Sequence, residues 1–222
     1  MLPPAEAYRR WAPTYADETV VSFLENRLVE SVSPHASHRR LLDVGCGTGR
    51  RIQAVRDAPD LAVGVDLVPE MVVAGRRLSG DEGIRVAGDV LDLPLRSSTF
   101  DLVWCRLVLG HLSDLSAAYR ELARVSRPGA DLIVSDFHAE AVRAGHARTF
   151  RDTAGAVHRI EHHVHTRADH ALAAKRSGWR ETHVLEAPAG EPERFFYERA
   201  GRVDQLEAES GLPLVLVMCY RL

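Results

Sequence analysis

Lysine is nearly absent from this chain: Lys175 is the only one among 222 residues, and arginine carries the rest of the cationic charge. The arginines fall in scattered pairs, Arg39 with Arg40, Arg50 with Arg51 and Arg76 with Arg77, and the formal net charge is −3. A polyanion therefore finds no basic stripe, which excludes nucleic acid as an evident partner. Cysteine is scarce as well. Cys46, Cys105 and Cys219 are odd in number and far apart, which excludes a disulfide framework and points to reduced thiols in a cytoplasm. No apolar run approaches the ~20 residues of a membrane span, and no cationic start leads into an apolar core with a cleavage site. The expectation is a soluble, cytoplasmic protein without membrane contact. Repeats, linkers and low-complexity segments are missing too. With 45% hydrophobic residues and a length that would cramp two independent domains, one α/β domain is expected over residues 1–222.

What is present is organised around Leu41 to Arg50, L-L-D-V-G-C-G-T-G-R. Branched apolar residues, a carboxylate and three alternate glycines describe a buried strand that runs into a tight turn and then a helix. Glycine there lets a ligand touch backbone. A second apolar run, L-A-V-G-V-D, ends in Asp66. Strand, glycine turn, helix, strand, acid is a βαβ unit, and an acid about 20 positions beyond the turn is where a ribose-binding carboxylate stands. The dinucleotide fingerprint G-x-G-x-x-G fails, because Arg50 occupies the place of its third glycine. That disfavours a nicotinamide-dependent reductase.

The pattern that remains, D-x-G-x-G-x-G from Asp43 through Gly45 and Gly47 to Gly49, resembles motif I of the class I S-adenosylmethionine-dependent methyltransferases. The resemblance continues in order with Asp89 after a third strand, F-D-L-V-W-C-R-L-V-L-G-H-L around a fourth, and R-P-G before a fifth, covering about residues 41 to 136. It implies an α/β, doubly wound, Rossmann-like seven-stranded sheet, mostly parallel with an antiparallel last strand. It implies S-adenosyl-L-methionine as cofactor and S-adenosyl-L-homocysteine as product. The turn Gly45, Cys46, Gly47 and Gly49 would lie against the amino-acid end of the cofactor, with helix-opening amides for its carboxylate and Asp43 for its ammonium. Asp66 and Leu67 would meet the ribose, and Met71 the adenine or ribose. Asp89 would accept from the adenine amino group, with Val90 donating its backbone N–H.

The remaining elements follow from periodicity and capping. Tyr8, Trp11 and Tyr15 lie in a segment, Ala5 to Asp17, that Pro13 interrupts, and they suit a lid over the site; residues 1–35 form an N-terminal helical cap in this reading. Helices are expected over Thr19 to Val32, roughly Gly49 to Arg56, Pro69 to Leu78, Asp114 to Ser126, Thr166 to Gly178 and Glu193 to Ser210. Strands are expected at Arg40 to Val44, Leu61 to Asp66, Ile84 to Gly88, up to Trp104, Ala130 to Asp136, Trp179 to Glu186 and Leu214 to Tyr220. From Ala139 to His165 the resemblance fades, and this stretch is assigned to covering the substrate. Within it His158 to His165, if extended, puts His158 and His162 on one face and Glu161, His163 and His165 on the other. A strand with solvated histidines is expected there, with no metal.

The chemistry implied is transfer of a methyl group to an N, O or C atom of a small molecule by in-line displacement. The protein must hold the acceptor about 3–3.5 Å from the methyl carbon, aligned and dry. Strand ends deliver ligands in such sheets, so Cys105 and Arg106 should lie between the methyl and the acceptor, with Phe137 and His162 beside the acceptor. His138, after the fifth strand, is the first choice of general base and His111, after the fourth, the second. The substitution pattern resembles small-molecule methyltransferases of the ubiquinone and menaquinone type, and no N-P-P-Y motif is present. The rival reading is a non-catalytic S-adenosylmethionine-binding scaffold. A monomer or homodimer is expected.

Overall fold

The computed structural model describes residues 1–15, 18–55, 57–79 and 83–222. Seven strands form one sheet: β1 (Arg40–Val44), β2 (Leu61–Asp66), β3 (Ile84–Ala87), β4 (Phe100–Arg106), β5 (Ser126–Phe137), β8 (Arg180–Ala187) and β9 (Val215–Arg221). Their order is β3-β2-β1-β4-β5-β9-β8. The first five are parallel, and β9 is antiparallel to both of its neighbours. The chain winds outward from β1 in one direction and from β4 in the other, so a crevice opens above their carboxyl ends. A separate hairpin pairs β6 (Thr149–Arg151) with β7 (Val157–Arg159).

Both faces of the sheet are buried, which is why its central strands read as continuous apolar runs. Alternate residues feed two cores. Leu42, Val103, Leu132 and Leu216 pack with α5 (Ser116–Val125) and α7 (Arg167–Arg176). Their neighbours Leu41, Trp104, Ile133 and Val217 pack on the other face with α2 (Val20–Val32) and α6 (Ala139–Arg143). Two helices start on full capping boxes, Thr19 with Ser22 and Thr166 with Asp169. The remaining helices are α1 (Pro4–Trp11), α3 (Arg50–Gln53), α4 (Pro69–Ser79), α8 (Arg194–Ala200) and α9 (Val203–Ala208).

Several boundaries differ from expectation. The helix after the glycine turn is the four-residue α3, and Arg56, its expected end, lies outside the described residues, as do Ala16 and Asp17 of the aromatic segment. Arg127, Pro128 and Gly129 belong to β5 rather than to a turn before it, and the β4–β5 register slips between Phe100 and Leu102 to take them in. The expected helix Glu193 to Ser210 is two helices that break at Gly201. Only Val157–Arg159 of the histidine-rich stretch forms a strand, because its one partner, β6, is three residues long.

One buried polar cluster ties the layers together. Glu25, an acid in the apolar stripe of α2, takes two hydrogen bonds of 2.8 Å from Arg106, one of 2.6 Å from Ser135 and one of 3.3 Å from Arg51. Burial alone would raise its pKa, but Arg106 and Arg51 outweigh burial and hold it at about 2. A carboxylate held below its unfolded value stabilises the fold above pH 4.5 and loses that contribution as pH falls towards 2. Glu25→Ala strands two guanidiniums and is expected to destabilise by about 3–5 kcal/mol in urea unfolding at pH 7. The gap between variant and parent should narrow as pH falls through that window, and a gap independent of pH would contradict this role.

Candidate active site

A cavity of about 480 Å³ occupies the crevice above β1, β2, β3, β4 and β5. Its volume is that of a small-molecule site. One end of it is the glycine turn. The N–H groups of Gly45 and Cys46 donate to Val65 O at 2.7 and 3.0 Å, which folds the turn back on β2. Gly45 has φ +71°, and a Cβ there would come within 2.1 Å of Val108 Cγ2. Gly47, φ +57°, faces Tyr15 and Met71, each 3.3 Å from where its Cβ would stand. Only glycine combines these dihedrals with such close approach.

Asp66 joins the turn to the ligand side. Its carboxylate accepts from Gly47 N at 2.7 Å and Val68 N at 2.9 Å. Each oxygen keeps a second acceptor position, as two vicinal hydroxyls require. Burial raises its pKa. Asp89 accepts from Leu91 N at 2.9 Å and lines the cavity with Val90. Met71 lines the cavity and is buried, whereas Leu67 sits at an exposed rim. Beneath the turn, neither carboxylate oxygen of buried Asp43 has a hydrogen-bond partner. Burial pushes its pKa up to about 6, against the pull of Arg51 and Arg106. Asp43 itself stands outside the cavity lining; the bare glycine turn, with the two carboxylates Asp66 and Asp89 at the strand ends, fits a cationic ligand that carries a ribose. S-adenosylmethionine is such a ligand, with its ammonium and sulfonium groups.

The opposite end is aromatic. Tyr8 and Trp11 line it, with Trp11 stacked on Phe150 at 5.3 Å, while Tyr15 reaches back over the glycine turn. The Tyr8 hydroxyl lies 3.0 Å from His111 Nε2, while His111 Nδ1 lies 3.4 Å from the carbonyl oxygen of Glu161. A carbonyl only accepts, so Nδ1 carries the hydrogen and Nε2 accepts from Tyr8. Burial, then the charge of Arg148, pushes the His111 pKa down to about 3. Phe137 lines this end too.

Other expected residues are placed elsewhere. His138 does not line the cavity: it caps α6, accepting from Glu140 N at 3.2 Å, and its Nε2 faces Glu186 at 3.7 Å. The first-choice base is thus turned away and the second lines the site. Arg106 reaches the wall, but Glu25 holds its guanidinium. Cys105 points into the opposite core by strand alternation, and burial drives its thiol pKa up. Cys46 packs its sulfur over Gly64, where a Cβ would come within 2.7 Å of it, and Gly49 packs on the side chain of Arg85. His162 sits behind Phe137, 6.1 Å between ring centroids, outside the cavity lining. The histidine-rich stretch disperses: His158 bonds Asp152 at 2.7 Å and His165 bonds Leu112 O at 2.7 Å.

Sequence reasoning missed Glu25, Arg51 and Arg148. Glu25 was visible as an acid flanked by Leu24, Leu28 and Val29 on an apolar helix face. Arg51 was visible only as the helix residue after the turn. Arg148 had no local signal, because its partners, Asp136 Oδ1 in β5 and the carbonyl oxygen of Leu107 just past β4, at 2.8 Å each, are distant in sequence.

Residues 42–134 match a family model described as a methyltransferase domain. The chain is 32% identical over 138 residues to a malonyl-[acyl-carrier protein] O-methyltransferase of Erwinia billingiae, covering 62% of this chain and 55% of that protein. It is 41% identical over 93 residues to a demethylmenaquinone methyltransferase of Roseiflexus castenholzii, covering 40% of this chain and 39% of the relative. The chain thus spans about half the length, or less, of these curated relatives. A solved S-adenosylmethionine-dependent methyltransferase from Mesorhizobium loti shares the fold, with a TM-score of 0.71 and 21% identity over 93% of this chain and 99% of that one.

Asp66→Ala removes a charge-assisted acceptor worth about 1.5–3 kcal/mol. Calorimetry is expected to show S-adenosylhomocysteine bound about 10–100-fold more weakly by the variant. Unchanged affinity would take Asp66 out of the cofactor site.

Proposed function

We propose that this chain, a member of the class I S-adenosylmethionine-dependent methyltransferases, transfers a methyl group to a small-molecule acceptor. The observation that carries the reading is one continuous cavity. It joins the Gly45–Gly47 turn, Asp66 and Asp89 at one end to Tyr8, Trp11 and His111 at the other. The name of one relative, a demethylmenaquinone methyltransferase, supports a small-molecule acceptor in cofactor or specialised metabolism.

Bound S-adenosylmethionine supplies an electrophilic methyl group on a good leaving group. Asp66 holds the ribose hydroxyls, and Asp89 with the Val90 N–H holds the adenine. Residues 1–35 and 139–165 cover the site: Tyr8, Trp11 and Tyr15 close it from the first segment, His146 to Thr149 from the second. Their work is to exclude water and align the acceptor. His111 orients the Tyr8 hydroxyl. With its pKa at about 3 it stays neutral at pH 7 and is too weak a base to draw a proton from an ordinary hydroxyl.

A ligand that binds only the folded state stabilises it by about 2.7 kcal/mol at 100 times its Kd. For a chain of this size S-adenosylhomocysteine should then raise the Tm by about 5–10 °C. NADH at the same concentration should leave the Tm unchanged. Stabilisation by NADH alone would overturn the reading, and S-adenosylhomocysteine binding without transfer to any acceptor would leave the scaffold alternative standing.

A further inference from the structure

We infer that the methyl acceptor is an organic carboxylate, gripped by Arg148 and methylated on its own oxygen. This rests on the methyltransferase reading above and concerns the acceptor end of the same cavity.

The first observation is charge. The only carboxylates lining the cavity among the described residues are Asp66 and Asp89, both at the cofactor end. The acceptor end presents Arg148, paired at 2.8 Å with buried Asp136, and, from the turn between α8 and α9, Arg202. An ammonium would find no carboxylate in the lining at that end, whereas an anionic acceptor would find guanidinium N–H donors.

The second observation is preorganisation. Arg148 Nη1 donates to Leu107 O and Nη2 to Asp136 Oδ1, both at 2.8 Å. Each Nη nitrogen keeps a second hydrogen, so the fixed fork retains donors for a planar oxyanion. Leu107 is held at φ +59°, a left-handed conformation unusual for leucine, with its N–H on Ser135 O at 2.9 Å. Backbone strain of this kind persists where the surroundings impose it, and here it accompanies the carbonyl that fixes Arg148.

The third observation is how few bases the acceptor end holds. Among the described residues its lining has no lysine or carboxylate and two histidines. The Nε2 lone pair of His111 is taken by Tyr8, and His146 turns its Nε2 to Glu209 at 3.1 Å. A nucleophile that arrives already deprotonated at neutral pH, as a carboxylic acid does and a phenol or alkylammonium does not, needs neither. A carboxylate oxygen forms the new bond to the methyl carbon, the carbon–sulfur bond breaks, and its electron pair goes to sulfur. The products are a neutral ester and a neutral thioether, and no proton is released.

The test uses three probes with one apolar body: 3-phenylpropanoate, 3-phenylpropanol and 3-phenylpropylamine, titrated by calorimetry into the full chain saturated with S-adenosylhomocysteine. The acid should bind about tenfold more tightly than the alcohol or the amine. Arg148→Gln should weaken the acid about tenfold while the alcohol and S-adenosylhomocysteine stay within about twofold, and Arg148→Lys should retain part of the preference. The unchanged S-adenosylhomocysteine affinity reports that the variants are folded. Equal affinities for the three probes, strong or weak, or a preference for the amine, would overturn the inference and leave the methyltransferase reading intact. Failure of the parent chain to bind S-adenosylhomocysteine would remove both.

Discussion

The buried carboxylate of Glu25 is the interaction on which the rest depends. It sits on the helix that leads from the N-terminal aromatic segment into the sheet, and its partners come from β4, β5 and α3. A lone carboxylate there would be strongly unfavourable, and so would either guanidinium. Together they hold one another, and the helix can settle in only one register against the strand ends. The geometry of the cavity follows. The wall at Arg106 and the start of α3 beyond the glycine turn are both referenced to one side chain. Such clusters are weak contributors to net stability but strong selectors of arrangement, which is what a positioned site requires.

From that frame the cavity divides into two chemistries. Near β1, β2 and β3 it offers bare backbone, two acids and Arg51, with Asp43 buried beneath the turn and outside the lining. Beyond β4 and β5 it offers aromatic faces and arginine. The division comes from topology. The strands that wind outward from β1 bring Asp66 and Asp89 to one side of the crevice, and β4 and β5 bring Leu107, His111 and Phe137 to the other. A molecule that spans both sides meets acid on one flank and guanidinium on the other. The second pairing is with Asp136, which receives Arg148 and stands 3.4 Å from His170, itself 3.0 Å from the Tyr119 hydroxyl. That chain of buried polar groups links Arg148 to α5 and α7, so this end of the cavity is tied to the sheet.

The glycine-turn end of the cavity was legible in the sequence because its determinants are local. The glycine turn and Asp66 are set by spacing along one βαβ unit, and the structure brings Gly45, Gly47, Asp66, Met71, Asp89 and Val90 to one cavity. The strand list was legible because sheet burial on both faces writes apolar runs, and β9 was readable as a late strand returning beside the sixth. The acceptor end was less legible because its determinants are not local. His138 and His111 both follow strand ends, and nothing in their neighbourhoods says that one caps a helix while the other meets Tyr8 across 103 positions. Arg148 and Asp136 recognise each other only once β5 and the hairpin are folded. Cys105 was misread for a simpler reason: a one-residue step along β4 exchanges cavity for core.

If one crevice holds adenosine against Asp66 and Asp89, the sulfur turns towards the aromatic end. A crystal structure of the chain grown with millimolar S-adenosylhomocysteine should then show both ribose hydroxyls within hydrogen-bond reach of the Asp66 carboxylate, the adenine amino group at Asp89, and the sulfur facing Tyr8 and His111. Density for the ligand in the reverse orientation, or a crevice that stays empty at that concentration, would contradict that placement.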